Sequence, residues 1–172
     1  MILNRQEISA LIKEKEMVAG FINLATQLTS NGLDLTVAKV YAFSGAGALD
    51  FSNKERKLPR YKEILPKKKD KTDKFGWWSL KKGAYKIIAN EVVAIPDDLI
   101  AMAFTRSSLL RMGVFTQTAV WDAGFCGRSE FILVVENPRG LKIKQNARII
   151  QLLFCRINKT DKAYAGIYQT KV

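Results

Sequence analysis

From Phe75 to the C-terminus the chain is a run of short β-rich segments, each closed by a turn signal, and this rhythm limits its architecture more than any other feature. Residues 84–95 form one such segment, stopped by Pro96-Asp97-Asp98. Segments 100–104, 114–121, 130–135, 141–143 and 149–157 follow, separated by Gly113, Gly124, Gly127, Asn137-Pro138 and Gly140. Many short strands without helix–strand alternation predict a sandwich or barrel and exclude a parallel sheet. Residues 107–112 are spaced for one helical turn between strands.

Upstream, Asn4-Arg5-Gln6-Glu7 has capping-box spacing, and Ile8, Leu11 and Ile12 recur at helical intervals, which predicts a short helix over about 4–13. Residues 33–37 and 40–43 read as strand, ending at Ser44-Gly45-Ala46-Gly47. Residues 50–74 are rich in charge, contain Pro59 and Pro66 and lack periodicity, and are read as a basic, mobile insertion loop or long hairpin tip. A length of 172 residues favours one domain spanning 1–172.

Composition narrows the chemistry. Histidine is absent, which excludes His-based acid–base catalysis and zinc sites with His ligands. Cys126 and Cys155 cannot form a Cys-x-x-Cys pair, so the signature of zinc-dependent nucleobase deaminases is missing. No apolar run approaches the roughly 20 residues that span a bilayer, and the N-terminus turns polar at Asn4-Arg5, so a cytoplasmic protein without membrane contact is expected. The formal net charge of +12 attracts polyanions, either nucleic acid or a phosphorylated small molecule. Much of it lies in 54–74, including Lys67-Lys68-Lys69 and Lys71, where a solvated loop accounts for it equally well.

Several clusters could carry chemistry. Arg106, Ser107 and Ser108 offer a guanidinium fork and two hydroxyls over three residues, suited to phosphate at the start of a short helix. The same triplet also reads as a helix cap, with Leu109 and Leu110 in the core. Arg111, one turn on, either joins that face or pairs with an acid. Asp122 precedes the turn Ala123-Gly124-Phe125-Cys126-Gly127, and taken alone reads as an Asx-type turn residue. Arg148 is in phase with Ile150 and Leu152, which fits a buried ion pair, a ligand contact or an edge-strand charge, and Gln151 falls on the opposite face. The terminal Tyr164-Ala165-Gly166-Ile167-Tyr168-Gln169 reads as a lid or as a frayed end.

The order of these motifs says more than any one of them. Residues Gly83 to Pro96, then Arg106-Ser107-Ser108-Leu109-Leu110-Arg111-Met112-Gly113, then Trp121 to Gly127, then Asn146 to Leu152, then Tyr164 to Gln169, resemble the dCTP deaminase/dUTP pyrophosphatase family. Met1-Ile2-Leu3 and Gly32-Leu33-Asp34-Leu35 look like that family's N-terminal portion, so the resemblance covers nearly the whole chain apart from 50–74. The Arg-Ser-Ser-Leu form is similar to the deaminase branch and the archaeal-type pyrophosphatases (dUTPases).

The resemblance implies a mainly β fold, a distorted jelly roll with a short N-terminal helix and one short internal helix, assembled as a homotrimer with active sites between subunits. It implies hydrolysis of dUTP to dUMP and pyrophosphate, with Mg²⁺ arriving on the triphosphate. Arg106, Ser107 and Ser108, joined by Arg111 and Gln151, would hold phosphates. Asp122 would contact the 3′-hydroxyl region and orient the attacking water. Phe125 would pack under the sugar. Gln117 and Thr118, in the strand Thr116-Gln117-Thr118-Ala119, would read the base partly through backbone groups. Tyr164, Tyr168 and Gln169 would complete the pocket from a lid over 160–172.

Deamination in this family uses a Glu on the strand after the turn. Counting from Gly127, that slot falls on Ile132; counting back from Asn137, on Val134; neither is a carboxylate. Glu130, on the same strand face, would reach the site only through slippage or a bulge. The expectation is therefore a dUTP pyrophosphatase that leaves the base unaltered. A dCTP deaminase or bifunctional enzyme, and a regulatory protein using the basic loop on nucleic acid or a protein, are the competing readings, with nucleic acid the less favoured partner.

Overall fold

The protein is described by a computed structural model over residues 1–169; the last three positions of the expected lid, 170–172, lie outside the described residues. Helix α1 (Arg5–Lys15) begins at the capping box read from the sequence: the Asn4 side chain accepts from the Glu7 amide, and the Glu7 carboxylate accepts from the Asn4 amide. Ile8 and Ile12 bury one face of it. Strand β1 (Val18–Ala19) and the short helix α2 (Leu24–Gln27) lead into the long strand β2 (Leu33–Ser44).

Beyond β2 come β3 (Arg60–Ile64), β4 (Trp77–Leu80), β5 (Gly83–Ala94) and β6 (Leu99–Thr105). Helix α3 (Ser107–Arg111) precedes β7 (Val114–Gln117), β8 (Cys126–Val135), β9 (Leu141–Lys144) and β10 (Arg148–Arg156). The main sheet is antiparallel in the order β6-β10-β2-β5-β8-β7, with β3 added on β2 and β1 on β5, while β4 and β9 pair separately. Its two edges approach each other: the Thr116 amide donates to Thr105 Oγ1 at 2.8 Å, linking β7 to β6 and nearly closing a barrel. Alternation does the packing, and in β8 Ser129, Phe131, Leu133 and Val135 point inward while Arg128, Glu130 and Ile132 point out.

Strand β2 is continuous where two segments were expected and β8 opens at Cys126 ahead of the expected 130, and three further places depart from the sequence reading. Residues 50–74 are not loop throughout, because β3 returns along β2 and Lys67 bridges Trp77. The Trp78 indole, buried against this return, donates to the Ile64 carbonyl at 2.6 Å. The expected strand over 114–121 stops at Gln117, and only Trp121 re-enters the ladder, as a bridge to Ala101. In α3 the N-cap is Arg106, without a side-chain cap bond, and Leu110 is exposed whereas Leu109 is buried.

One buried carboxylate joins three of these elements. Glu91 is fully buried and accepts from Gln27 Nε2 (2.7 Å), the Thr36 amide (2.9 Å) and Thr36 Oγ1 (2.6 Å). Gln27 in turn accepts from the amides of Ile22 and Asn23. Glu91→Ala would strand three buried donors, each costing about 1–3 kcal/mol. The expected loss is about 3–5 kcal/mol, read as a lowered urea midpoint; an unchanged midpoint would show that the network is dispensable.

Candidate active site

A cavity of about 600 Å³ opens beside the segment joining β7 to β8, within the roughly 300–1,000 Å³ usual for small-molecule sites. Asp122, Phe125, Tyr164 and Tyr168 line it. The segment's shape is set from both sides. The Trp121 amide and carbonyl bond Ala101 at 2.9 Å, and the buried Trp121 indole donates to Ser129 Oγ at 3.1 Å. The Phe125 amide donates to the Asp122 carbonyl (3.0 Å), the Gly124 amide to the Ile95 carbonyl (2.9 Å), and the Ile95 amide to the Phe125 carbonyl (2.8 Å). Asp122 is thereby held on a rigid turn with its side chain exposed to the cavity.

The C-terminal segment lies against this turn. The Tyr164 amide donates to the Ala123 carbonyl at 2.8 Å. The Gln169 amide group spans the turn, donating to the Gly124 carbonyl and accepting from the Cys126 amide, each at 3.1 Å. The Phe125 and Tyr164 rings meet edge to face with centroids 5.4 Å apart. Gly124 permits this: its φ is +81°, and a Cβ there would lie 2.6 Å from Ala163 Cβ.

The remaining residues expected to bind substrate do not line this cavity. Arg106, Arg148 and Gln151 gather with Asp34 where β10 pairs with β2. Asp34 Oδ2 lies 3.1 Å from Arg106 Nε and 3.2 Å from an Arg148 terminal nitrogen, and the carboxylate is 2% exposed. Burial pushes the Asp34 carboxyl above its ordinary range, against the pull of Arg106 and Arg148. Arg148 is thus in the ion pair that was one of its three readings. The Gln151 amide donates to Thr29 Oγ1 at 2.6 Å. Ser107, Ser108 and Arg111 are exposed on α3, and Gln117 and Thr118 stand where β7 ends.

The structure also brings in residues that the sequence reading passed over: Leu58 and Tyr61 from the β3 side, Lys86 from β5, and Arg128 and Ser129 from β8 all line the cavity. Lys86, a lone cation in an apolar strand, was the available signal; its hairpin neighbours had none. Glu130 lines the cavity too, with its carboxylate 2.6 Å from Lys86 Nζ. Strand β8 itself runs unbroken past Glu130, and the irregularity lies opposite, between Ile88 and Val92 of β5. Among the described residues no group of three or more His, Cys, Asp or Glu is placed to hold a metal ion.

Residues 2–157 match the model of a protein family described as dCTP deaminase-like. The probable deoxyuridine 5′-triphosphate nucleotidohydrolase of Methanosarcina mazei is 45% identical over 172 residues, covering 99% of this chain and 97% of that protein. The deoxyuridine 5′-triphosphate nucleotidohydrolase of Methanocaldococcus jannaschii is 39% identical over 143 residues, covering 83% of this chain and 87% of that protein. The crystal structure of 2′-deoxycytidine 5′-triphosphate deaminase from Agrobacterium tumefaciens shares the fold, with a TM-score of 0.63 at 21% identity over 89% of this chain and 47% of that one.

Gly124→Ala tests whether the turn sets the docking of the tail. The forced φ and the clash with Ala163 should cost about 1–2 kcal/mol and speed tryptic cleavage at Lys159 and Lys162. Unaltered cleavage would mean that the tail docks independently of this residue.

Proposed function

The chain belongs to the dCTP deaminase-like family, and we propose that within it this protein hydrolyses dUTP to dUMP and pyrophosphate. The observation that carries the reading is Asp122, a carboxylate held on a pinned turn at the cavity while the two positions counted for a deaminase Glu are the apolar Ile132 and Val134. The names of the archaeal relatives support it.

In this reading Asp122 accepts from the 3′-hydroxyl region and orients water for in-line attack on the α-phosphorus. The bond from the α-phosphorus to the bridging oxygen breaks, pyrophosphate leaves, and the water's proton passes to solvent by way of the carboxylate. Phe125 packs under the deoxyribose and crowds a 2′-hydroxyl. The backbone of residues 116–119, with Gln117 and Thr118, faces the base. Most of the acceleration then comes from positioning and charge neutralisation, which a chain without histidine can supply.

Two cavity carboxylates, Asp122 and the Lys86-paired Glu130, fit a Mg²⁺ that brings triphosphate oxygens and water as its ligands, better than a metal caged by protein. Bound there, Mg²⁺ would neutralise phosphate charge. Arg106, Ser107, Ser108, Arg111 and Gln151 hold the phosphates in this reading, and they lie off the cavity of their own chain. A homotrimer accommodates the separation, with each site pairing the Asp122 cavity of one subunit with the Arg106 cluster of its neighbour. Residues 1–172 act as one domain, 160–172 as its lid, and the cytoplasm is the proposed location.

The direct assay supplies dUTP or dCTP with Mg²⁺ and follows pyrophosphate and base absorbance. Pyrophosphate from dUTP with dCTP unaltered is expected; conversion of dCTP to a uracil nucleotide would sink the reading. Asp122→Asn should lower kcat by roughly 10²- to 10⁴-fold with the melting temperature unchanged. Mixing inactive Asp122→Asn chains with inactive Ser107→Ala/Ser108→Ala chains should restore part of the activity, since some mixed sites receive both intact halves. Absence of recovery in verified mixed oligomers would place both halves in one subunit.

A further inference from the structure

The pairing of β7 with β8 runs from Val114↔Val135 to Gln117↔Ile132 and then stops. The two arms part, and the cavity occupies the gap, with Ala119 and Val120 on one side and Ser129 and Glu130 on the other. Lys86 reaches the same wall from β5. It stands opposite Ile132, and Glu130 stands opposite Ile88, so the two side chains are diagonal neighbours on one sheet face.

Their ionic ends are joined, Lys86 Nζ to Glu130 Oε2 at 2.6 Å, and the ammonium also lies 4.2 Å from the centroid of the Tyr61 ring. An ammonium has three N–H donors. One is directed to Glu130 and one faces the Tyr61 ring, with the Tyr41 ring farther off at 5.9 Å, so one can still be offered to a ligand. The Glu130 side chain is 49% exposed, which leaves its carboxylate open to a second donor. Arg128, the other cation on this wall, gives one terminal nitrogen to the carbonyls of Ala89 and Asn90. At the Lys86–Glu130 pair the wall presents a donor beside an acceptor.

We propose that Lys86 and Glu130 are specificity-determining residues that read the pyrimidine edge, Lys86 donating to the C4 carbonyl oxygen of uracil and Glu130 accepting from its N3–H. This rests on the dUTP reading above, which fixes the order of the pair. Cytosine reverses both groups, with an amino donor at C4 and an acceptor at N3. It would face donor with donor and acceptor with acceptor, the kind of mismatch that polar sites reject most strongly. The hydrolytic residue Asp122 takes no part in this choice.

The test compares wild type, Lys86→Met, Glu130→Gln and the exchange Lys86→Glu/Glu130→Lys, each checked for folding by thermal melting. The readouts are kcat/KM for pyrophosphate release from dUTP and from dCTP, and calorimetric binding of dUMP and dCMP. Lys86→Met should lower kcat/KM for dUTP roughly 10- to 100-fold and leave the residual rate on dCTP, measured at high enzyme concentration, little changed. Glu130→Gln, whose amide both donates and accepts, should narrow the ratio. The exchange keeps an ion pair but inverts the order, so it should shift preference toward the cytosine nucleotide. A wild-type ratio in the folded single variants, or its restoration by the exchange, would overturn the proposal and leave the pair a structural bridge. Failure of the wild type to release pyrophosphate from dUTP would instead reject the hydrolase reading. The edge reading is then judged by dUMP and dCMP binding, where equal affinities in the wild type overturn it.

Discussion

Glu91 is the constraint on which the rest of the structure leans. A carboxylate with no exposure survives in the interior only because three donors converge on it, and those donors come from α2 and β2. Glu91 sits where β5 shifts register against β8, between Ile88 and Val92. The carbonyls of Ala89 and Asn90 are taken instead by the guanidinium of Arg128. Arg128 lines the cavity, so the interior network and the cavity wall are consecutive links of one chain of hydrogen bonds.

A second buried carboxylate does comparable work at the other cluster. Asp34 holds Arg106 from β6's end and Arg148 from β10 on a single oxygen, fixing two long side chains that would otherwise sample many rotamers. Burial raises the cost of its charge, and the two guanidiniums offset only part of it. The molecule thus carries two preorganised regions, one shaped by a pinned turn and one by a shared carboxylate, on different parts of the same sheet.

Much of this was legible in the sequence where the signal is local. The capping box at Asn4 and Glu7, the strand stops at Pro96 and Asn137-Pro138, and the shared face of Glu130 and Ile132 depend on neighbours a few residues away. The grouping of Asp122, Phe125, Tyr164 and Tyr168 was legible only through the order of motifs, because nothing in the spacing of 122 and 168 reports contact. Strand β3 was illegible for the opposite reason. Its residues alternate poorly, and it is a strand because β2 offers it an edge. The end of β7 at Gln117 was hidden likewise: residues 118–120 have ordinary strand composition, and they leave the ladder where the cavity opens.

The contact of the tail with the Gly124 turn is made within one chain. Its strength is set by a tether, and so is indifferent to how concentrated the protein is. The Arg106 cluster, on the proposed trimeric arrangement, reaches a cavity only through a neighbour and answers to mass action. Dilution would then dismantle the site in a fixed sequence, removing the phosphate grip first and leaving the turn with its strap intact on each separated subunit.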